Sequence, residues 1–571
     1  MEKGVNLLKL KEAILSSRGE IPLDMKIKGG KVVSVFDSKI YECEVGIKNG
    51  IIVSLDAEGL KAEKEVDVCG SFLAPSFIDA HIHIESSMLT PERFAEVVVP
   101  RGTGTVVSDP HEIANVLGID GIIYMRKSAK NLPMDFYFTI PSCVPATMLE
   151  TSGGEISSSQ IKKLQKILKN APALSEMMNF PGVIYCDDEV LKKIAISREL
   201  GLKIDGHSPF LSGKSLDAYL SSGIQSDHEC TNQSEVEEKL RKGCFILARE
   251  GSASKNLQEC LKVINSNNSS RFAIVSDDRH PESLFYEGHI DDSLRKAVCW
   301  GLDPIEAIKL VTINPAVFMG LKNKGAIAPS YFADIVVLKD LKNFEVEMVF
   351  YKGEVCAQNG KMLKKVKIRK DKKVLSSIKI SDSFEEKIVF PEEGKVRVIK
   401  VFGDQILTKE EFSDIDEAKS GKINYAAVIE RHGINGNVGL GFVSGFNLKK
   451  GALASTVSHD SHNIVAVGKT PDDIVKVVKA LKKCGGGIVA FDGEEYFSLP
   501  LEVAGLMTSK SIEEVLTKLK TLVKKAKEMG CNLPSPFMTL SFIALPVIPE
   551  VRLTDKGIVD VNKFDFVSLK I

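Results

Sequence analysis

Between residues 21 and 71 the chain alternates short β-type runs, at 25–28, 31–35 and 44–53, with turns. Asn49-Gly50 inside the last run is a hairpin signal, because both turn positions of a tight hairpin favour residues that tolerate positive φ. A similar block returns at 325–365, so the two blocks are expected to complete one sheet domain, 1–73 plus 323–375. The interval between them, 74–322, has the length of a (β/α)₈ barrel, about 250 residues. Eight candidate strands stand there, at 76–83, 105–109, 136–141, 173–176, 203–207, 223–228, 244–248 and 271–277, with helical stretches between most of them. Six of the eight end in His, Asp or Glu. Active sites of such barrels form at the C-terminal strand ends, so chemistry is expected at that face. From about 385 a separate α+β domain is expected to run to 571, with strands at 395–401, 427–429 and 488–491. Its helix at 511–527 carries Ile512, Val515, Leu516, Leu519 and Leu522 on one side. The lysine-rich stretch 361–374 reads as a solvated linker. The fold class is thus α/β: a TIM-like barrel, a small sheet domain built from both sides of it, and a C-terminal unit.

Composition narrows the partners. In 571 residues, 75 basic and 76 acidic side chains leave a net charge of −1, so no global field recruits nucleic acid or a membrane surface. Met1-Glu2-Lys3-Gly4 opens with charges and leads into no signal-type apolar core. No apolar run reaches the roughly 20 residues of a spanning helix. Eleven scattered cysteines without a Cys-x-x-Cys pattern read as reduced thiols, so a cytoplasmic location is expected. Histidine is scarce, ten in all, and five of them fall between His81 and His228 on or beside strand ends.

The sharpest motif is Asp79-Ala80-His81-Ile82-His83-Ile84-Glu85, after the apolar stretch 72–78. Strand side chains alternate faces, so His81 and His83 point one way, with Asp79 and Glu85 on the same parity. Two imidazoles on one stiff face are two arms of a metal site. Glu176, His207, His228 and Asp277 stand at the ends of the fourth, fifth, sixth and eighth candidate strands.

This set resembles the amidohydrolase superfamily, whose members carry His-x-His, a bridging carboxylate, two more histidines and a last-strand aspartate. Within it the chain is most similar to the adenine deaminase family, through Asp109-Pro110-His111-Glu112-Ile113-Ala114-Asn115, Glu176-Met177-Met178-Asn179-Phe180-Pro181-Gly182-Val183, Asp277-Asp278-Arg279-His280-Pro281 and Ser458-His459-Asp460-Ser461-His462-Asn463. The resemblance implies two divalent cations, one held by His81, His83 and Asp277, the other by His207 and His228, with Glu176 between them. It favours Mn2+ or Fe2+, although imidazole–carboxylate sites also accept Zn2+. Hydantoinase-like relatives use a carboxylated lysine where Glu176 stands, and residues 173–179 contain no lysine.

The implied reaction is hydrolytic deamination of adenine, a small-molecule substrate. Asp277 takes the proton of the attacking water, and Glu85, Glu112 and Glu229 are candidates for the shuttle to the ring and the departing amine. Glu85 is favoured by strand parity; Glu229 suits a loop or supporting position. Asp278, Arg279, His111, His280 and His459 are the expected substrate contacts, His289 is expected to be structural, and a homodimer is expected. Residues 458–463 are expected to close over the barrel mouth, because a polar loop between apolar strands is costly unless satisfied. The alternative is a cyclic amide or amidine hydrolase, or a deaminase of another nucleobase, on the same metal centre.

Overall fold

The computed structural model describes residues 7–571 except 253, 376, 404 and 406. The charged residues at the extreme N-terminus, read above against a signal peptide, lie outside the described residues. Eight parallel strands form the barrel: β1 (Phe77–Ile82), β2 (Thr103–Ser108), β3 (Asp135–Phe138), β4 (Ala173–Met177), β5 (Lys203–Gly206), β6 (Ser226–Asp227), β7 (Phe245–Arg249) and β8 (Phe272–Val275). Continuous ladders join β1–β2–β3, β4–β5 and β6–β7–β8. The bridges Ile140↔Leu174 and Ile82↔Asp277, and the Gln225 N–H bond to Ile204 O (3.0 Å), connect these ladders into one ring. Every residue of β1, β2 and β4 is buried, as strands covered by side chains within the barrel and helices outside it must be.

The flanking sheet interleaves the two ends of the barrel segment. Phe72–Pro75 pairs antiparallel with Ile335–Leu338 on one side and parallel with Met25–Ser34 on the other. The two runs at 25–28 and 31–35 are one strand, Met25–Ser34, with its pairing register shifted between Ile27 and Gly30. Lys39–Lys48 and Ile51–Ser54 pair across the Asn49-Gly50 turn, where φ is +53° and +76°.

The C-terminal unit is built on an eight-stranded sheet with the order Thr408–Asp414, Lys395–Val401, Val438–Ser444, Asn424–Ile429, Ile464–Gly468, Ala452–Ser455, Gly487–Phe491, Tyr496–Pro500. Alternate residues of its strands face opposite sides. Ala452, Ala454, Ile464 and Ala466 pack with helix Pro471–Cys484. Leu453, Val465, Val467 and Ile488 join a core that runs on into the barrel. Helix Ile512–Glu528 buries Ile512, Val515, Leu516, Leu519 and Leu522 in that second core. No described helix is long and apolar enough to cross a membrane.

Candidate metal centre

β1 stops at Ile82, and the chain turns into a 3₁₀ segment, Ile84–Ser87. His81 is therefore a strand residue and His83 lies one residue past the end; both are buried. Their Nε2 atoms converge on two carboxylates. His83 Nε2 is 3.1 Å from Glu176 Oε1 and 3.1 Å from Asp277 Oδ1, and His81 Nε2 is 3.4 Å from the same Asp277 oxygen. From β4, Glu176 turns its other oxygen the opposite way: Oε2 is 2.8 Å from His207 Nδ1 and 3.2 Å from His228 Nε2. One carboxylate thus faces two pairs of imidazoles with separate oxygens. Burial pushes Glu176 up, yet hydrogen bonds from His207, His228 and His83 hold it well below the usual carboxylate range. Asp277 is held low in the same way against burial, by the Arg249 charge and by His81 and His83.

A further layer fixes these side chains. Asp205 Oδ2, on β5, is 2.9 Å from His81 Nδ1 and the Asp109 carbonyl is 3.2 Å from His83 Nδ1, so both rings turn Nε2 inward. Asp205 Oδ1 accepts from the Gly206 N–H and the Ser226 hydroxyl. Arg249, at the end of β7, donates from Nη1 to Asp277 Oδ2 (2.6 Å) and grips Glu229 with both nitrogens (2.5 and 3.1 Å). Asp277 takes φ +56°, pinned by its N–H on His81 O and its carbonyl on the His83 N–H. Of these, Asp205 and Arg249 are not reached by the sequence analysis, and Asp109 enters it only as part of a motif, with no role attached. Asp205 did carry a signal, since it shares strand parity with His207.

Several expected residues sit differently from the sequence reading. Glu85 is buried, but strand parity does not place it, because the strand has ended; its Oε1 accepts from the Ile113 N–H (3.2 Å). Burial raises its carboxyl to about 7, with the Glu112 charge adding to the effect. His111 heads helix α1 (His111–Ser128), its Nδ1 2.9 Å from Asp109 Oδ2 and 3.7 Å from Glu176 Oε1. Asp278 is half-buried and accepts from the Ser86 hydroxyl. Arg279 departs from the expected substrate contact. Its guanidinium is fully buried and spent on Asp292 (2.6 Å) and the carbonyls of Glu250 and Gly288. His280 caps helix Pro281–Tyr286 by its backbone, and burial drops its ring to about 4. His289 lies between Thr103 Oγ1 (2.9 Å) and Asp79 Oδ2 (3.0 Å), away from the cluster.

The C-terminal unit reaches this face. His459 Nδ1 is 2.7 Å from Glu112 Oε1, and its ring stacks on Phe542 at 5.4 Å. Ser461 Oγ donates to Glu150 Oε2 (2.7 Å), and Asn463 Nδ2 to Thr151 O (2.8 Å). Residues 458–463 are thereby laid on the start of helix α1, which follows β2, and on the loop that follows β3.

Comparison with known proteins gives the family. Residues 72–356 match the amidohydrolase family, and 405–565 match the adenine deaminase C-terminal domain. Adenine deaminase of Desulfatibacillum aliphaticivorans is 43% identical over 566 residues, covering 98% of this chain and 99% of its own. Adenine deaminase of Methanothrix thermoacetophila is 43% identical over 576 residues, 98% of this chain and 100% of that one. Among solved structures, a beta-aspartyl dipeptidase from Fervidobacterium islandicum AW-1 superposes with a TM-score of 0.46 at 19% identity, over 60% of this chain and 98% of that chain. With such identity along nearly its whole length, the chain belongs to the adenine deaminase family of amidohydrolases.

Proposed function

We propose that this protein hydrolyses adenine to hypoxanthine and ammonia at a centre of two divalent cations. The observation that carries the reading is the division of Glu176, one oxygen toward His83 and the other toward His207 and His228. The donor set fits such a centre. His81, His83 and Asp277 bring their ligand-type atoms together as one buried group, and Glu176, His207 and His228 as another, buried but for the half-buried His207. His81 Nε2 is buried with no hydrogen-bond partner among the described residues, as expected of an atom reserved for a cation. His81, His83 and Asp277 would hold one ion and His207 and His228 the other, with Glu176 shared. Bound there, the ions supply a water whose pKa falls to about 7.

The protein's own groups then manage protons. Arg249 occupies Asp277 Oδ2, which leaves Oδ1 facing the cluster to take a proton from the attacking water. Adenine has no leaving group until its amine is protonated, so a proton must travel to the substrate. Glu85 and Glu112 carry it: both carboxyls are buried, Glu85 accepting the Ile113 N–H and Glu112 facing His459 and His462. His111, Asp278, His280 and His459 line the purine pocket, and Arg279 supports them from within the fold. Manganese or iron is preferred to zinc. A cytoplasmic homodimer completes the reading.

The test is a spectrophotometric screen of adenine, cytosine, guanine, adenosine and dihydroorotate with manganese-loaded or iron-loaded protein, alongside the zinc form. Turnover of adenine with release of ammonia is expected. Turnover of adenosine but not adenine would sink the substrate assignment.

A further inference from the structure

Glu112 turns its carboxylate toward the C-terminal unit. Oε1 is 2.7 Å from His459 Nδ1, and Oε2 meets His462 Nε2. All three side chains are buried and their ligand-type atoms lie together, which looks like the donor set of a further cation. The hydrogen bonding of His462 argues otherwise. The Ser458 N–H donates to His462 Nδ1 at 3.1 Å. A ring nitrogen that accepts has no proton, so in the neutral imidazole the proton sits on Nε2. A cation at Nε2 would require both nitrogens bare, an imidazolate. Burial favours the neutral ring, lowering its pKa to about 4. Nε2 therefore carries the proton, and it is this nitrogen that meets Glu112 Oε2.

The loop that presents it is over-determined. His462 takes φ +55°, a left-handed backbone that a non-glycine residue adopts only when its surroundings impose it. Its N–H bonds Ser458 O (2.7 Å), its carbonyl accepts from Arg431 Nε, and the flanking Ser461 and Asn463 are tied to Glu150 and Thr151 of the barrel.

We propose that His462, aided by His459, is a positioning residue that fixes the Glu112 carboxylate at the barrel mouth, so that the C-terminal unit completes the proton-handling apparatus. This rests on the reading of Glu112 as a proton carrier for adenine.

The test uses full-length, metal-loaded protein carrying His462→Ala or His462→Gln. The glutamine amide can donate from the place of Nε2, whereas alanine cannot. His462→Ala should lower kcat about 10- to 100-fold, the usual cost of a misplaced catalytic group, with bound metal unchanged and KM nearly so. His462→Gln should recover most of the loss. An unmoved kcat in His462→Ala, or a glutamine variant as impaired as alanine with its circular dichroism intact, overturns the proposal. Nitrogen-15 spectra of histidine-labelled protein without substrate provide a second readout. Among the neutral rings with a bare Nδ1, which include His432, they should show a signal that vanishes in His462→Gln. A protonated ring at that position, or a third metal equivalent lost in the variant, overturns it as well. Wild-type protein that leaves adenine untouched would refute the activity, while the spectra would still decide on His462.

Discussion

Glu150 is the group on which the seam between barrel and C-terminal unit should register pH. Its side chain is 3% exposed, Oε2 accepts from Ser461 and Oε1 has no partner among the described residues. Burial, with the charges of Asp460 and Asp555 adding to it, raises its carboxyl from 4.5 to about 8. Between those two values the folded protein keeps a proton that the unfolded chain has released. Stability therefore falls as pH rises through that window and is level on either side. The span of about 3.5 pH units, at about 1.4 kcal/mol each, gives a loss of about 5 kcal/mol. Spread over the unfolding entropy of 571 residues, near 2.1 cal/mol/K apiece, this is about 4 °C in Tm. Glu150→Gln stays neutral and keeps a hydrogen-bonding head of the same shape, so it removes this slope and leaves the other titrations in place. Calorimetric Tm values of holoenzyme and variant should nearly coincide at pH 5 and separate to the variant's advantage by about 4 °C at pH 8.5. A Tm difference that stays flat from about pH 5 to 8.5 would refute the reasoning, because Glu150 would then ionise as it does in water.

Other perturbations address the metal centre. Asp205→Asn weakens the acceptor behind His81 and should reduce metal affinity about 10- to 100-fold, read by competition with a coloured chelator; unchanged affinity would remove Asp205 from that role. Glu176→Gln should bring bound metal below two equivalents by elemental analysis, and full occupancy at a normal rate would end the bridging assignment. Arg279→Met removes the guanidinium from Asp292, which keeps Lys296 at 2.9 Å, and strips the Glu250 and Gly288 carbonyls of their donor; it should cost about 1–3 kcal/mol in denaturant unfolding, with KM for adenine unchanged in the folded enzyme. A raised KM at unaltered stability would return Arg279 to the substrate pocket.

The sequence alone determined the barrel strands and the residues at their ends, because both are local properties. An apolar run a few residues long followed by a His, Asp or Glu places a strand and its chemical terminus with no knowledge of neighbours. Each candidate strand overlaps one of β1 to β8, and His81, His83, Glu176, His207, His228 and Asp277 meet in one cluster. The helix face from Ile512 to Leu522 was legible for the same reason, a fixed period along a single element. Parity failed at Glu85 because it depends on where the strand ends, and β1 stops at Ile82. The remaining features depended on tertiary structure, since they are contacts between distant segments. Asp205 meets His81 across 124 residues and His459 meets Glu112 across 347. Arg279 follows the Asp277-Asp278 pair directly, yet the position of Asp292 and two carbonyls draws its guanidinium away from the site. A residue's type and spacing fix which element it rides on; which partner its polar atoms find is decided when the elements pack, because only then is each buried donor brought to an acceptor.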